Sequence, residues 1–431
     1  MKKAVVLGAY GFIGAACVRA LQANGYAVCG VGRSMDAARQ AFPDLVWVLK
    51  DISRTSAEEW AEVFQDADVV VNAAGALQDG ARDNLEAIHV TAVERMLQAL
   101  EGRTVRFIQI SAAGVSEDAP TDFFRTKARG DALVTGSDTD WIVLRPSLVL
   151  GPHAYGGTAL LRAAAATPLV GGRIFSDARV QTVHVDDVAA AVAEAAAGKL
   201  GSRFAADLSE GESRSFPELV GKVRTWLGFP RWAATLAVPE SLVELLGKGA
   251  DALGWLGWRS PLRTNALAAL RNGIVANPSE WRERGGVPMR ALDETLAAMP
   301  ATAQERVFAR LYLLLPFAIA CLSLFWVLSG VFGVISLGAA RSVLTEVGVS
   351  PFLAGVAVLG GSVVDIALGL GVLVRRWSRL ACLGMVAVSL VYLLMGSLLT
   401  PALWLDPLGP FVKILPSAML AVLVALVLEK R

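Results

Sequence analysis

The chain counts 431 residues, with 40 Lys and Arg against 39 Asp and Glu, a net charge of +1, and 54% hydrophobic residues. That length exceeds one ordinary domain, the near-zero charge gives no footing for a nucleic-acid partner, and a mean hydropathy of +0.51 is too apolar for a purely soluble protein. The four cysteines, Cys17, Cys29, Cys321 and Cys382, show no metal-ligand spacing and suit a reducing compartment.

The first element is a short apolar run that reads as a buried strand and ends in Gly8-Ala9-Tyr10-Gly11-Phe12-Ile13-Gly14. An alanine-rich helix follows. Glycines at G-x-x-G-x-x-G spacing let the backbone turn sharply and approach a phosphate, and the helix start offers amides and partial positive charge to a pyrophosphate. The expected contacts are Gly8, Tyr10, Gly11, Phe12, Ile13 and Gly14. Strand-like runs recur near 3–8, 26–31, 45–49, 68–72, 105–110 and 141–146, with helical stretches between them. That alternation predicts an α/β fold: a Rossmann-type, doubly wound parallel sheet with ligands at the strand C-terminal ends.

Gly32-Arg33-Ser34 closes the second strand without the carboxylate that an NAD site usually places there. Arg33 suits an adenosine 2′-phosphate, so NADP(H) is favoured over NAD(H). Asp51, after the third strand, is placed to accept from the adenine amino group. Ala73, Ala74 and Gly75, after the fourth, form a small-residue turn that lets the backbone reach the cofactor. Pro146 cannot donate within a central ladder and ends the sixth strand.

Residues 201–300 read as a variable substrate lobe. A helix is expected from Phe216 to Leu227, after Ser215 and with Pro217 in its first turn. Trp226, Trp232, Trp255 and Trp258, with Leu236, Leu242 and Leu245, admit three readings: core packing, the mouth of a site for a lipid-like molecule, or a surface resting on a bilayer.

Four apolar segments, near 308–332, 353–374, 379–399 and 411–428, each approach the ~20 residues that span a bilayer. Residues 301–431 are therefore expected to form an all-α domain of four transmembrane helices, following the 1–300 domain. Arg306, Arg310, Arg375, Arg376, Arg379, Lys430 and Arg431 fall on one side, which places both termini and the N-terminal domain in the cytoplasm. Met1-Lys2-Lys3 leads straight into the first strand, so no secretory signal is expected. Asp365 lies near the middle of the second span, where a carboxyl is costly and functional or structural partners are the expectation. Gly360, Gly361, Gly369 and Gly371 would let helices approach closely.

The motifs from Gly8 to Gly14, Arg33, Asp51, Asn72 to Gly75, Ser111-Ala112-Ala113, Lys127, Leu144-Arg145-Pro146-Ser147 and Val183 to Ala189 fall in an order that resembles extended and atypical short-chain dehydrogenase/reductases. The likeness runs to the branch containing the NADPH-binding accessory subunit of respiratory complex I. The tail resembles a DoxX-type membrane domain. The resemblance implies that Lys127 holds the nicotinamide ribose and that Ser111 hydrogen-bonds the substrate oxygen, making these two the catalytic candidates. It also implies an aspartate, Asp186 or Asp187, capping the helix after His184.

The family tyrosine four residues before the lysine is Phe123 here, and a phenyl ring cannot transfer a proton. Ser111, an ordered water, Tyr155 or His153 remain as substitutes. Two functions stand foremost on these grounds, ahead of a third in which the membrane domain itself transports or reduces a compound and the nucleotide domain gates it. One is a bacterial inner-membrane oxidoreductase moving hydride between NADPH and an apolar substrate such as a quinone or isoprenoid carbonyl. The other is a non-catalytic NADP(H)-binding module that serves a membrane complex. The expected partners are a dinucleotide and the lipid bilayer, with no metal.

Overall fold

Alternate residues of β1 (Lys3–Leu7) enter opposite layers: Ala4 and Val6 pack with α1 (Phe12–Ala23) and the helix Val185–Ala197, whereas Val5 and Leu7 pack around Trp60, Phe64, Met96 and Phe107. Both faces of the strand are covered, which is why it reads as an unbroken apolar run rather than an alternating one. The computed structural model describes residues 1–79, 84–258, 262–407 and 409–428.

Beside β1 lie β2 (Ala27–Gly32), β3 (Val46–Leu49), β4 (Val69–Asn72), β5 (Arg106–Ile110) and β6 (Asp140–Pro146). All six predicted strands form, and their C-terminal ends gather the glycine turn, Arg33, Asp51 and the Ala73–Gly75 turn along one edge. A seventh strand, Phe204–Leu208, pairs in parallel with β6. The complete order is Phe204–Leu208, β6, β5, β4, β1, β2, β3. That last strand falls inside the stretch read as variable lobe. Its alternation of buried Phe204, Ala206 and Leu208 with half-buried partners is short and easily missed.

The helix predicted from Phe216 to Leu227 runs Phe216–Trp226 and starts as expected, with Ser215 accepting from the Glu218 amide and the Glu218 carboxylate accepting from the Ser215 amide.

The chain divides into two units, Met1–Ala250 with Pro261–Ala309, and Asp251–Ser260 with Arg310–Arg431. Among the described residues four helices are long and apolar enough to cross a bilayer: Ala303–Ile335, Pro351–Gly371, Ser378–Leu399 and Pro410–Val427, with mean hydropathies of 2.0 to 2.4. Lys430 and Arg431, used in the charge argument, lie outside the described residues. Between the first two spans the Arg341 segment forms a short helix, Leu337–Thr345.

Asp365 is buried in the second span, and its two oxygens accept from Ser329 Oγ of the first (3.0 Å) and Tyr392 Oη of the third (3.1 Å). Close helix approach falls partly on other glycines than expected. A Cβ at Gly369 would meet Val327 N at 2.9 Å and one at Gly361 would meet Tyr392 Oη at 2.7 Å, but Gly360 faces open space. Gly330 and Gly333 instead bring the first span against Ser362.

Candidate functional site

The glycine turn is a backbone cradle. Gly8 has φ +71°, a conformation that favours glycine. Its amide donates to Val31 O (3.0 Å), and the Gly11 amide donates back to Gly8 O (2.8 Å). A Cβ at Gly8 would come within 2.9 Å of Ala74 Cα, and one at Gly14 would overlap Gly8 O and lie 2.8 Å from Gly8 C. Gly11 caps α1 without any side-chain bond, so the amides of its first turn lack both an intrahelical acceptor and a capping oxygen. Such a cradle fits a pyrophosphate.

Tyr10 leaves the cradle sideways. Its ring closes over Gly32, where a Cβ would lie 2.9 Å from Cδ1, and its Oη accepts from the Arg33 amide at 2.9 Å. Arg33 is thereby pinned at the end of β2 beside the cradle. Asp51 lies two residues past the end of β3, and its Oδ1 accepts from both the amide (3.1 Å) and Oγ (2.7 Å) of Ser53. Asn72 holds the end of β4: its Nδ2 donates to buried Gln109 (2.8 Å), and its Oδ1 accepts from the Ala74 amide (3.3 Å).

The second half of the site hangs from the helix Asp122–Thr135. Lys127 is buried, and its Nζ donates to Ile110 O at 2.8 Å, at the end of β5. A Cβ on Gly75 would lie 3.6 Å from that Nζ and 3.5 Å from His89 Nε2, so this glycine leaves the space between them open. Burial pulls the Lys127 ammonium from its ordinary 10.5 down to about 8, with Asp131 opposing the fall. One helical turn on, buried Asp131 accepts at Oδ2 from Ser111 Oγ (2.9 Å) and Arg145 Nε (2.9 Å). Burial raises its carboxyl pKa, against the pull of Arg145 and Ser111.

His89 lies in a π turn, Ala87–Thr91. Its Nε2 accepts from the Ala76 amide (3.3 Å), so Nδ1 carries the hydrogen toward Thr126 Oγ1 (2.8 Å), which in turn donates to Asp122 O (2.8 Å). Burial and then Lys127 pull its pKa to about 2, so the ring is neutral. Phe123, at the tyrosine position, sets its ring edge-on against His89 with centroids 5.6 Å apart.

Residues 4–201 match the model of the NAD dependent epimerase/dehydratase family, and residues 323–422 match that of the DoxX-like family. The N-terminal part is an epimerase/dehydratase-type, NAD(P)-binding Rossmann domain, and the C-terminal part is a DoxX-like membrane domain. Over 187 residues the chain is 25% identical to the ceramide reductase of Caulobacter vibrioides, covering 43% of this chain and 58% of that one. Over 156 residues it is 30% identical to the mitochondrial NADH dehydrogenase [ubiquinone] 1 alpha subcomplex subunit 9 of Dictyostelium discoideum, covering 34% and 42%. The chain thus spans about half the length of these relatives. The Bordetella bronchiseptica enzyme WbmH, solved in complex with NAD+, superposes with a TM-score of 0.52 at 21% identity over 69% of this chain and 97% of its own. That likeness shows the fold.

Within the Rossmann domain, Gly8 to Gly14, Arg33, Asp51 and Ala73 to Gly75 stand along the sheet edge, while Ser111 and Lys127 stand at the end of β5. Ser111 turns its hydroxyl hydrogen to Asp131. Tyr155 stacks on Phe12 of the cradle, with centroids 5.9 Å apart and planes 8° from parallel, and His153 is exposed on the same loop.

The helix Val185–Ala197 is capped by His184, not by an aspartate: His184 Nδ1 accepts from the Asp186 amide at 3.1 Å. An imidazole lone pair serves as well as a carboxylate there, and Asp187 is taken by Arg290 (2.5 Å). Sequence reasoning missed Asp131 and His89. Asp131 stands four residues after Lys127 on the same helix face and was findable on that ground. His89 sits where a π turn breaks the 3.6-residue period.

Proposed function

We propose that this chain is a multi-pass protein of a bacterial inner membrane whose cytoplasmic Rossmann domain binds NADP(H) and reduces an apolar carbonyl compound taken from the bilayer, of quinone or isoprenoid type. Arg33, pinned by Tyr10 where NAD sites place a carboxylate, supports the 2′-phosphate preference. Arg306, Arg310, Arg375, Arg376 and Arg379 support a cytoplasmic placement. A relative named for the reduction of a lipid supports the substrate class.

The observation that carries the reading is Lys127, a buried ammonium at the β5 end beside Gly75 with a pKa of about 8. When bound, a reduced nicotinamide dinucleotide supplies the hydride for a carbonyl carbon. The chain's part is the proton. Lys127 Nζ is protonated at neutral pH, gives its proton to the substrate oxygen and regains one from solvent, leaving an alcohol from an aldehyde or ketone and a quinol from a quinone. Ser111 and Arg145 orient Asp131, which keeps charge of opposite sign one helical turn from the lysine.

Phe123 favours a second reading, an NADP(H)-binding module of a membrane complex that performs no turnover. The test uses the full-length protein in lipid nanodiscs, with NADPH and either a short-chain ubiquinone or an isoprenoid aldehyde. The expected kcat/KM falls about tenfold per pH unit above about pH 8, as Lys127 loses its proton. Arg33→Ala should weaken NADPH binding about tenfold, the scale of one charge-assisted contact, and leave NADH unchanged. Turnover that appears only in Phe123→Tyr selects the second reading. Binding of neither dinucleotide overturns both.

A further inference from the structure

The aromatic, leucine-rich stretch of the lobe separates into two kinds of residue. Trp226 and Trp232 are packed: their Nε1 groups donate to Met299 O (3.2 Å) and Thr167 O (2.9 Å), and Arg162 and Arg224 lie over their rings. The leucines of the helix Glu240–Trp255 are not.

That helix has three faces. Val243, Gly247 and Ala250 point inward, and a Cβ on Gly247 would lie 2.9 Å from Leu267 Cδ1 of the helix Thr264–Arg271. On a second face Glu240 and Glu244 pair with Arg271 at 2.6 and 3.5 Å. On the third, Leu242, Leu245, Leu246 and Leu253 recur at i, i+3, i+4 and i+11, inside an arc of about 100°. These four are 46%, 64%, 53% and 42% exposed. A contiguous apolar face of this kind marks a contact surface.

What covers it follows from where the chain goes next. Arg375 N donates to Leu256 O (2.9 Å), and Trp258 Nε1 donates to Leu373 O (2.6 Å). The Arg375 guanidinium lies 5.4 Å from the centroid of the Trp258 ring. These partners form the short connection between the second and third spans, and such a connection sits at the bilayer surface. Trp255 (93% exposed), Trp377 (56% exposed), Arg376 and Arg379 add the aromatic and basic residues that populate the headgroup level. We infer that the helix Glu240–Trp255 lies in the membrane interface, its four leucines in the boundary between headgroups and acyl chains. The helix that carries the leucines runs directly into Leu256 and Trp258, which hold that connection. The inference stands whether or not the Rossmann domain turns over.

The test places the full-length chain in nanodiscs containing a phospholipid with a diazirine near the headgroup end of one acyl chain. Photolysis and peptide mapping are expected to find lipid adducts on residues 242–253 as well as on the spans. In the variant with Leu242, Leu245, Leu246 and Leu253 all replaced by Gln, adducts on that helix should fall about fivefold or more, with span adducts unchanged as an internal control. Labelled spans beside an unlabelled helix in the unmodified chain overturn the inference. So do cross-links joining this helix in two copies of the chain with no lipid adduct, which make the face a protein interface.

Discussion

Gly14→Ala is expected to abolish dinucleotide binding and to cost the Rossmann domain ~3 kcal/mol, the upper end of ordinary overpacking. The reason is geometric. The new methyl overlaps Gly8 O and meets Gly8 C at 2.8 Å, and both are backbone atoms of the cradle itself. No side-chain rotation relieves that clash, so α1 must back away from the turn or the turn must open. Either movement takes the first-turn amides off the anion position. Isothermal titration with NADPH and thermal unfolding of the full chain in detergent check the two effects together. Gly221→Ala is the control. Gly221 lies inside the helix Phe216–Trp226 with nothing within 4 Å of its Cβ position, and alanine there should gain ~0.5–1 kcal/mol. A Gly14→Ala protein that binds NADPH normally would remove the cradle from the argument.

Lys127→Met is expected to stabilise the fold while destroying the site. Burial lowers the Lys127 pKa from 10.5 to about 8, a difference worth ~3 kcal/mol, because each pKa unit is 1.36 kcal/mol. The sign follows from proton counting. Between about pH 8 and 10.5 the unfolded chain binds the proton and the folded chain does not, so stability rises with pH across that window. Below about pH 8 both states are protonated and the full penalty of the buried ammonium is in force. Methionine, of similar length and uncharged, removes it. The variant should therefore melt higher than the parent at pH 7, and the gap should close as pH approaches 10.5. Asp131 loses one of its neighbouring charges in the exchange, but Arg145 remains bonded to it at 2.9 Å. A variant less stable than the parent at pH 7 would mean that Asp131 repays the lysine in full. Loss of turnover alongside the gain in stability is the expected signature of a site held at the fold's expense.

Much of this was legible in the chain. The glycine spacing, the six apolar runs and the four long apolar segments each report a backbone requirement that only a few residue types satisfy, and all of these elements are present. The seventh strand was not legible, because five residues at a sheet edge carry too short an alternation to stand out. The polar network around Lys127 was only half legible. Lys127 and Ser111 lie in recognisable motifs, whereas His89 joins them from a segment 38 residues earlier through a π turn that helical periodicity hides. The His184 cap escaped because histidine is an uncommon capping residue beside two aspartates that usually do that work. The fate of each tryptophan was likewise closed to sequence reasoning, since packed and exposed members share one composition.

The carboxylate of Asp365 also bears on how the membrane domain meets its lipid. Each oxygen receives one hydroxyl, from the first span and from the third, so three helices share one fixed register. Sliding any of them by a single residue, about 1.5 Å, would break a bond that no water inside the hydrocarbon replaces. In a bilayer thinner or thicker than its apolar length this group of helices therefore has no cheap way to shear. A thinner bilayer is met by tilting the group as one body, and a thicker one by thinning of the lipid around it.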